Sequence, residues 1–314
     1  MPRLHVISAE RYARDVLPLT ASLWAGRRSF DEYVAQTLEI ARGAYGRRGY
    51  RTVGLYDGQR LVASFKRYER SLHEGSRRLR AIGIGAVFTP PEHRGRGYAS
   101  VMLAMALDAA RAQGYALAFL FSDIAPQFYA ALGFQALPSR SFSLRAEELP
   151  SARLRLARVT DDDWRVIRRC FDFGEQRRIV GFLRSAFLWE WIRTRIRQDA
   201  AHTNLVVRQG KGVSAYVLGA RVPERDAYVV DEFGFAGDDA AATIPVLLRA
   251  AAGDLRRVIG WLPVDFARKL LPKPTIRRRK RAIFMAAPLH PEGGRVLRAI
   301  SSPSEDFCWA TDHI

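Results

Sequence analysis

Residues 81–113 constrain the fold more than any other stretch; they read "AIGIGAVFTPPEHRGRGYASVMLAMALDAARAQ". The first eight residues are apolar and partly β-branched, as a strand requires. Two prolines then end it, because proline offers no N–H to a ladder. An Arg-Gly-Arg-Gly turn follows. Beyond it Val101, Leu103, Ala104 and Leu107 recur on one expected helix face, closed by Gly114. A glycine turn leading from a strand straight into a helix exposes backbone N–H groups and the positive end of the helix dipole. Gly95 and Gly97 carry no side chain to crowd an anion, and Arg94 and Arg96 add positive charge. The local reading is a cradle for a pyrophosphate; the plainer alternative is an arginine-bearing surface turn. No Gly-Lys-Ser/Thr follows, so it is not a Walker loop. The preceding strand comes late in a mainly antiparallel meander, which argues against a dinucleotide fingerprint.

The rest of the chain supplies the meander. "LHVIS" reads as a first strand, with helical patterns near 9–24 and 30–45. "YRTVGLYDGQRLVASFKRYER" reads as a hairpin across Asp57-Gly58. "YALAFLF" is an uninterrupted apolar run, typical of a strand covered on both faces. "APQFYAALGF" is a short helix closed by Gly133, and "FSLRAEEL" the last strand of the first half. Near "EELPSAR" the order restarts: strand, acid-capped helix "DDDWRVIRRCFD", helix "FLWEWIRTRIR", a hairpin across Gly210, the strand "AYVVDEFGFAG", a helix, the strand "RRVIGWLP", the short helix "VDFARKLL" and the strand "AIFMAAPL". This repeat of architecture, with a period of about 150 residues, predicts a boundary near residue 150.

Composition narrows the function classes. The 314 residues are 48% hydrophobic, enough for packed cores, yet no apolar run approaches the roughly 18 residues of a membrane span. The opening "MPRLHVISAERYARD" carries charge too early for a secretory signal. Two cysteines, Cys170 and Cys308, exclude a disulfide framework and a cysteine-based zinc cluster, and no helical histidine pair suggests another metal. The expectation is a reduced cytoplasmic protein without metal. The net charge is +18, and all but five of the 50 basic residues are arginine. Arginine as the general solvating residue explains this most simply. "TIRRRKRAIF" is the one dense patch that nucleic acid would favour, but no stacking aromatics are interleaved with it.

A second motif follows the glycine turn about 30 residues later: in "APQFYAALGF", Tyr129 lies one turn before Gly133-Phe134. A tyrosine here can serve packing, or its phenol can protonate a leaving thiolate, since the two groups titrate near 10 and about 8.5. The two motifs together resemble those of the GCN5-related N-acetyltransferases, GNAT for short. Arg94-x-x-Gly97-x-Ala99 is similar to that family's Q/R-x-x-G-x-G/A signature, and "FYAALGF" stands at the matching distance. The whole chain resembles the two-domain members of the mycobacterial enhanced-intracellular-survival type. The resemblance implies an α/β (α+β) fold of tandem GNAT-like domains, each a mixed, mostly antiparallel sheet flanked by helices. It implies a catalytic domain at 1–149 and a degenerate one at 150–314, whose C-terminal tail returns toward the first.

The resemblance also implies roles. Acetyl-coenzyme A would be the co-substrate and an amine the acceptor, acylated directly without a covalent enzyme intermediate. Val87, Phe88 and Thr89 would pair with pantetheine as an added strand does. Arg94, Gly95, Arg96, Gly97, Tyr98, Ala99 and Ser100 would wrap the pyrophosphate, Ser122 and Asp123 would border the pantetheine arm, and Tyr129 would be the general acid. The base is less plain. Ala81–Phe88 bears no carboxylate where many members place a glutamate, and Glu92 reads as a surface acid. In the two-domain relatives the terminal carboxylate reaches the first active site. Here that group belongs to Ile314, with Asp312 and His313 beside it, and a packing-only tail is the alternative. In the second half "FGFAGDDAAAT" replaces the glycine turn, and Asp238 and Asp239 would repel a pyrophosphate. That half would shape the acceptor pocket or mediate homo-oligomer formation. Phe187, Trp189 and Trp191 are pocket candidates, and Asp231 and Glu232 candidate attractors of a cationic amine. Two other classes stay open: a non-catalytic acyl-coenzyme A sensor and a basic protein contacting RNA.

Overall fold

The computed structural model describes residues 1–26, 28–123, 125–210, 212–261, 270–301 and 307–314. Its strands, numbered in chain order, are β1 (Arg3–Ile7), β2 (Tyr50–Asp57), β3 (Arg60–Glu74), β4 (Arg77–Phe88), β5 (Leu117–Ser122), β6 (Gln135–Ala136), β7 (Arg140–Arg145), β8 (Leu156–Arg158), β9 (Val180–Leu183), β10 (Leu205–Gln209), β11 (Gly212–Val222), β12 (Ala227–Phe235), β13 (Arg257–Trp261), β14 (Thr275–Arg278) and β15 (Ile283–Pro288). They form two sheets. The first runs β1-β2-β3-β4-β5-β15-β6, with β9 added along the far half of β3; the second runs β14-β7-β13-β12-β11-β10-β8. Each sheet has a single parallel pair among its described strands, β4–β5 in the first and β12–β13 in the second. The expected mixed, mostly antiparallel sheets flanked by helices are therefore what the chain builds, twice.

The hairpin expected across Asp57-Gly58 forms, and a second, not foreseen, joins β3 to β4 at Gly75. Gly58 and Gly75 both take left-handed φ angles, of 62° and 57°, in the short connections of β2–β3 and β3–β4. Strand exchange between the sheets was not expected. "FSLRAEEL", read as closing the first half, contributes β7, which lies between β13 and β14 of the second sheet. "AIFMAAPL", read as part of the second half, contributes β15, which lies between β5 and β6 of the first. A cut at 149/150 thus divides the sequence but not the sheets. Local pattern announces that such a segment is a strand; which edge it completes is decided by non-local partners. In β15, Met285 and Ala287 join one core, while Phe284 and Ala286 join the core on the opposite face. The helix expected at 264–271 falls mostly outside the described residues.

The helix after the glycine turn spans Tyr98–Ala112. Its buried stripe is Met102, Leu103, Ala106, Leu107 and Ala110, packed on Phe65, Ile82 and Ile84. Val101 and Ala104, expected on that face, are exposed. The i, i+3, i+4 spacing runs through Met102 instead, so the helix is rotated by about one residue from the expectation.

Candidate active site

β4 and β5 pair in parallel only from Ala81–Leu117 to Ile84–Leu120. β4 then runs on to Phe88 and β5 to Ser122, so the two strands part. A bulge in β4 causes the divergence: β3 pairs Lys66 with Gly85 but Ser64 with Phe88, and Ala86 between them adopts a left-handed φ of 47°. Such a bulge bends its strand and breaks the ladder. The edge of β4 at 85–88 is therefore not paired with β5. Val87 packs into the core below the helix Tyr98–Ala112, and Phe88 is buried among Ile7, Tyr12 and Leu17.

The glycine turn closes one end of this cleft. Gly95 and Gly97 have φ angles of 74° and 76°, and a Cβ on either would meet nothing. Backbone conformation, not crowding, demands glycine there. Arg94 donates from Nε to the carbonyl of Thr89 at 3.1 Å, which holds the turn against the end of β4. The first helical bond runs from the Val101 N–H to Gly97 O, so the N–H groups of Tyr98, Ala99 and Ser100 precede the ladder. Gly95, Arg96 and Gly97 are exposed, and Tyr98–Ser100 half-buried. Near the other strand, Tyr129 stacks edge-on against Phe128 and Phe134, and burial, then the Asp123 carboxylate, push its phenol upward. Asp123 accepts the Ala282 N–H at 2.9 Å, and Ser122 is buried opposite Ile283 of β15.

The chain terminus enters this cleft from the opposite side. A Cβ on Gly83 would overlap Ile314 Cδ1, and one on Gly85 would lie 3.4 Å from the carbonyl carbon and oxygen of Ile314. The alternation Ile82-Gly83-Ile84-Gly85 buries its isoleucines under the helix and clears the other face of β4 for the terminus. This signal was present in the sequence, since a glycine inside a strand often marks close approach of another backbone.

Buried cations fix the tail in place. Arg178 Nη2 donates to Phe307 O at 2.8 Å, and Arg195 Nη1 to His313 O at 2.9 Å. Arg184 pairs with Glu232 at 2.7 Å and with Asp312 at 2.8 Å, and donates to the Thr311 hydroxyl at 2.8 Å. The His313 ring lies against Phe121 and Trp261, and burial, ahead of the Arg195 charge, depresses it to about 4, so it is neutral at pH 7.

Several candidates are redirected by these contacts. Glu232 is fully buried, accepts the Tyr216 hydroxyl at 2.5 Å and the Thr311 hydroxyl, and so is closed to any amine. Its neighbour Asp231 lies 3.6 Å from His202. Trp189 is second-sheet core, against Trp164 and Phe171. Trp191 reaches the first sheet, with its ring 5.5 Å from Tyr45 and 6.2 Å from Tyr68, and Phe187 is covered by the Arg48 guanidinium. Glu92 is exposed in a single 3-10 turn. Cys170 and Cys308 are buried free thiols, and burial pushes Cys170 up to about 11, far from nucleophilic. Among the described residues no group of His, Cys, Asp and Glu is placed to hold a metal, and no helix is long and apolar enough to cross a membrane.

Residues 16–137 match a family model described as an acetyltransferase (GNAT) domain. No curated protein matches the chain closely enough to count as a relative. Solved structures share its fold. The GCN5-related N-acetyltransferase from Anabaena variabilis superimposes with a TM-score of 0.73 at 16% identity, covering 92% of this chain and 73% of that one. The Kribbella flavida GCN5-related N-acetyltransferase gives 0.67 at 21% identity, covering 92% and 72%. Eis1 from Mycobacterium abscessus gives 0.63 at 13% identity, covering 92% and 74%. Residues 16–137 thus match a GNAT acetyltransferase domain, and over most of its length the chain shares the fold of solved GCN5-related N-acetyltransferases.

Proposed function

We propose that this acyltransferase-family chain moves an acetyl group from acetyl-coenzyme A directly onto the nitrogen of an amine. The observation that carries the reading is the lodging of the Ile314 terminus against Gly85, where β4 leaves β5. In this reading pantetheine lies along Val87–Thr89, and the pyrophosphate rests on the N–H groups of residues 95–100, with Arg94 and Arg96 beside it. Ser122 and Asp123 border the arm. An ammonium near pKa 10 yields little free amine at pH 7. The terminal carboxylate accepts its proton as nitrogen bonds to the thioester carbonyl carbon. The C–S bond then breaks, and Tyr129, kept protonated by burial, donates to the departing sulfur.

A short acyl group fits best. Below Ile84 and Leu120 the strands are fully paired, and the ring of Phe119 fills the space behind Gly83. Residues 1–149 would carry the chemistry and 150–314 would supply the tail without binding coenzyme themselves. Thiol release from acetyl-coenzyme A, followed across a panel of amines, tests the reading. Release with at least one amine, reduced in Tyr129→Phe at nearly unchanged coenzyme affinity, is expected. Thermal stabilisation by the coenzyme with no release for any amine would instead favour a sensor.

A further inference from the structure

The face of the first sheet that receives Ile314 also holds a lysine with no acidic partner. Lys66 pairs in register with Gly85, so its side chain rises beside the terminus. Its ammonium sits 5.5 Å from the ring centre of Tyr12 and 5.9 Å from that of Tyr50. An ammonium has three donors. Among the described residues none of them has an acceptor, and Lys66 joins no ion pair, with Ile314 or any other residue. The neighbouring charge that acts on it is another cation, Arg28. Burial lowers the lysine to about 8, which still leaves it charged at neutral pH.

Two hydroxyls on this side are buried without partners. Tyr12 is fully buried and Ser64, two residues along β3 on the same face, is 1% exposed, and neither hydroxyl has a hydrogen-bond partner. Unpartnered buried polar groups are costly and rare. Here two buried hydroxyls without partners and a half-buried cation without an acidic partner stand on the face that receives Ile314. The rings of Tyr12, Tyr50 and Tyr68 wall the same space, Tyr68 lying 5.3 Å from Tyr50.

We infer that the acceptor carries a carboxylate close to its amine, held by Lys66 and the Tyr12 hydroxyl while the amine faces Ile314. The substrate class is an amino acid or an amine of similar acidity, not a polycationic amine. This deepens the proposed acetyl transfer and rests on it for the placement of the amine.

Calorimetry separates the two ideas. N-acetyl-L-phenylalanine and its neutral analogue N-acetylphenethylamine, which differ only in the carboxylate, are titrated into the full chain with and without saturating coenzyme A. The acid is expected to bind at least about tenfold more tightly, with Lys66→Met reducing the two to parity and Lys66→Arg retaining part of the preference. Equal affinity, preference for the neutral compound, no binding of either, or a preference that survives in Lys66→Met would each overturn the inference. Circular dichroism confirms that both variants are folded. Heat from coenzyme A itself reports separately on the proposed function. If coenzyme A gives none while the acid still binds through Lys66, the acetyl-transfer reading falls and the anion site stands.

Discussion

Each sheet of this molecule has one parallel strand pair, and the two pairs end differently. In the first sheet β4 carries a bulge at Ala86, leaves β5 and runs into a turn with two left-handed glycines. In the second sheet β12 also carries an irregularity, since β11 pairs Gly219 with Val230 but Leu218 with Glu232, and β12 leaves β13 after Val230. Gly237 has an extended φ of 179°, and the helix restarts in two pieces, Asp238–Ala241 and Thr243–Ala252. Asp238 pairs with Arg177. Over β12 lies the chain's own tail, with Trp309 stacked 5.1 Å from Phe233 and Thr311 bonded to Glu232. The first pair leads into a turn with exposed N–H groups, and β12 of the second is covered by the segment that carries Ile314 to the first sheet.

The comparison can be broken at several points. The largest effect is expected from deleting His313 and Ile314: turnover should fall by about a hundredfold or more, as for loss of a general base, while coenzyme affinity changes little. An unchanged rate would return the tail to a packing role. Glu232→Gln removes one partner of a buried ion pair and should cost about 3–5 kcal/mol in chemical unfolding. It should also weaken turnover, because Thr311 and Arg184 steer the tail through Glu232; a stable variant with full activity would separate the tail from the second cleft. Tyr129→Phe should lower turnover by about a hundredfold, the low end of a single acid's contribution, with the coenzyme dissociation constant nearly intact.

The smallest effect concerns stability and pH. Folding lowers Lys66 to about 8 from its ordinary 10.5, so between those values the unfolded chain holds the proton more tightly. Stability should therefore climb as pH rises through that window and level off above it. Lys66→Met should abolish the climb and add on the order of 2 kcal/mol at pH 7. Urea titrations at pH 7 and pH 10 that show no such difference would mean the lysine is solvated.

Most of the strands, the Gly58 hairpin and the turn at 95–97 were legible in the sequence, because each rests on neighbours within a few residues; the short strands β6, β9 and β14 were not. Exchange of β7 and β15 was not, since "FSLRAEEL" and "AIFMAAPL" state a strand's period but not its partner. The meaning of Gly83 and Gly85 was present but needed the far end of the chain to become visible. Lys66 gave no local signal either. In the sequence it is one cation among 50, and its isolation from acids appears only when β3, β4 and the helix at Ala9–Asp15 are brought together. Glu232 misled for the same reason, because an acid beside Asp231 reads as an attractor of a cationic amine until Arg184 is found paired with it.

Isothermal titration of acetyl-coenzyme A into the chain tests the asymmetry of the two clefts most directly. One site per chain is expected, with Gly97→Asp weakening it by about a hundredfold through repulsion and strain. Gly97→Ala, which pays only the roughly 1–2 kcal/mol of a left-handed residue, should be affected far less, and Gly237→Asp not at all. Two sites per chain, no heat, or a Gly97→Asp variant that binds normally would contradict the assignment of the coenzyme to residues 95–100.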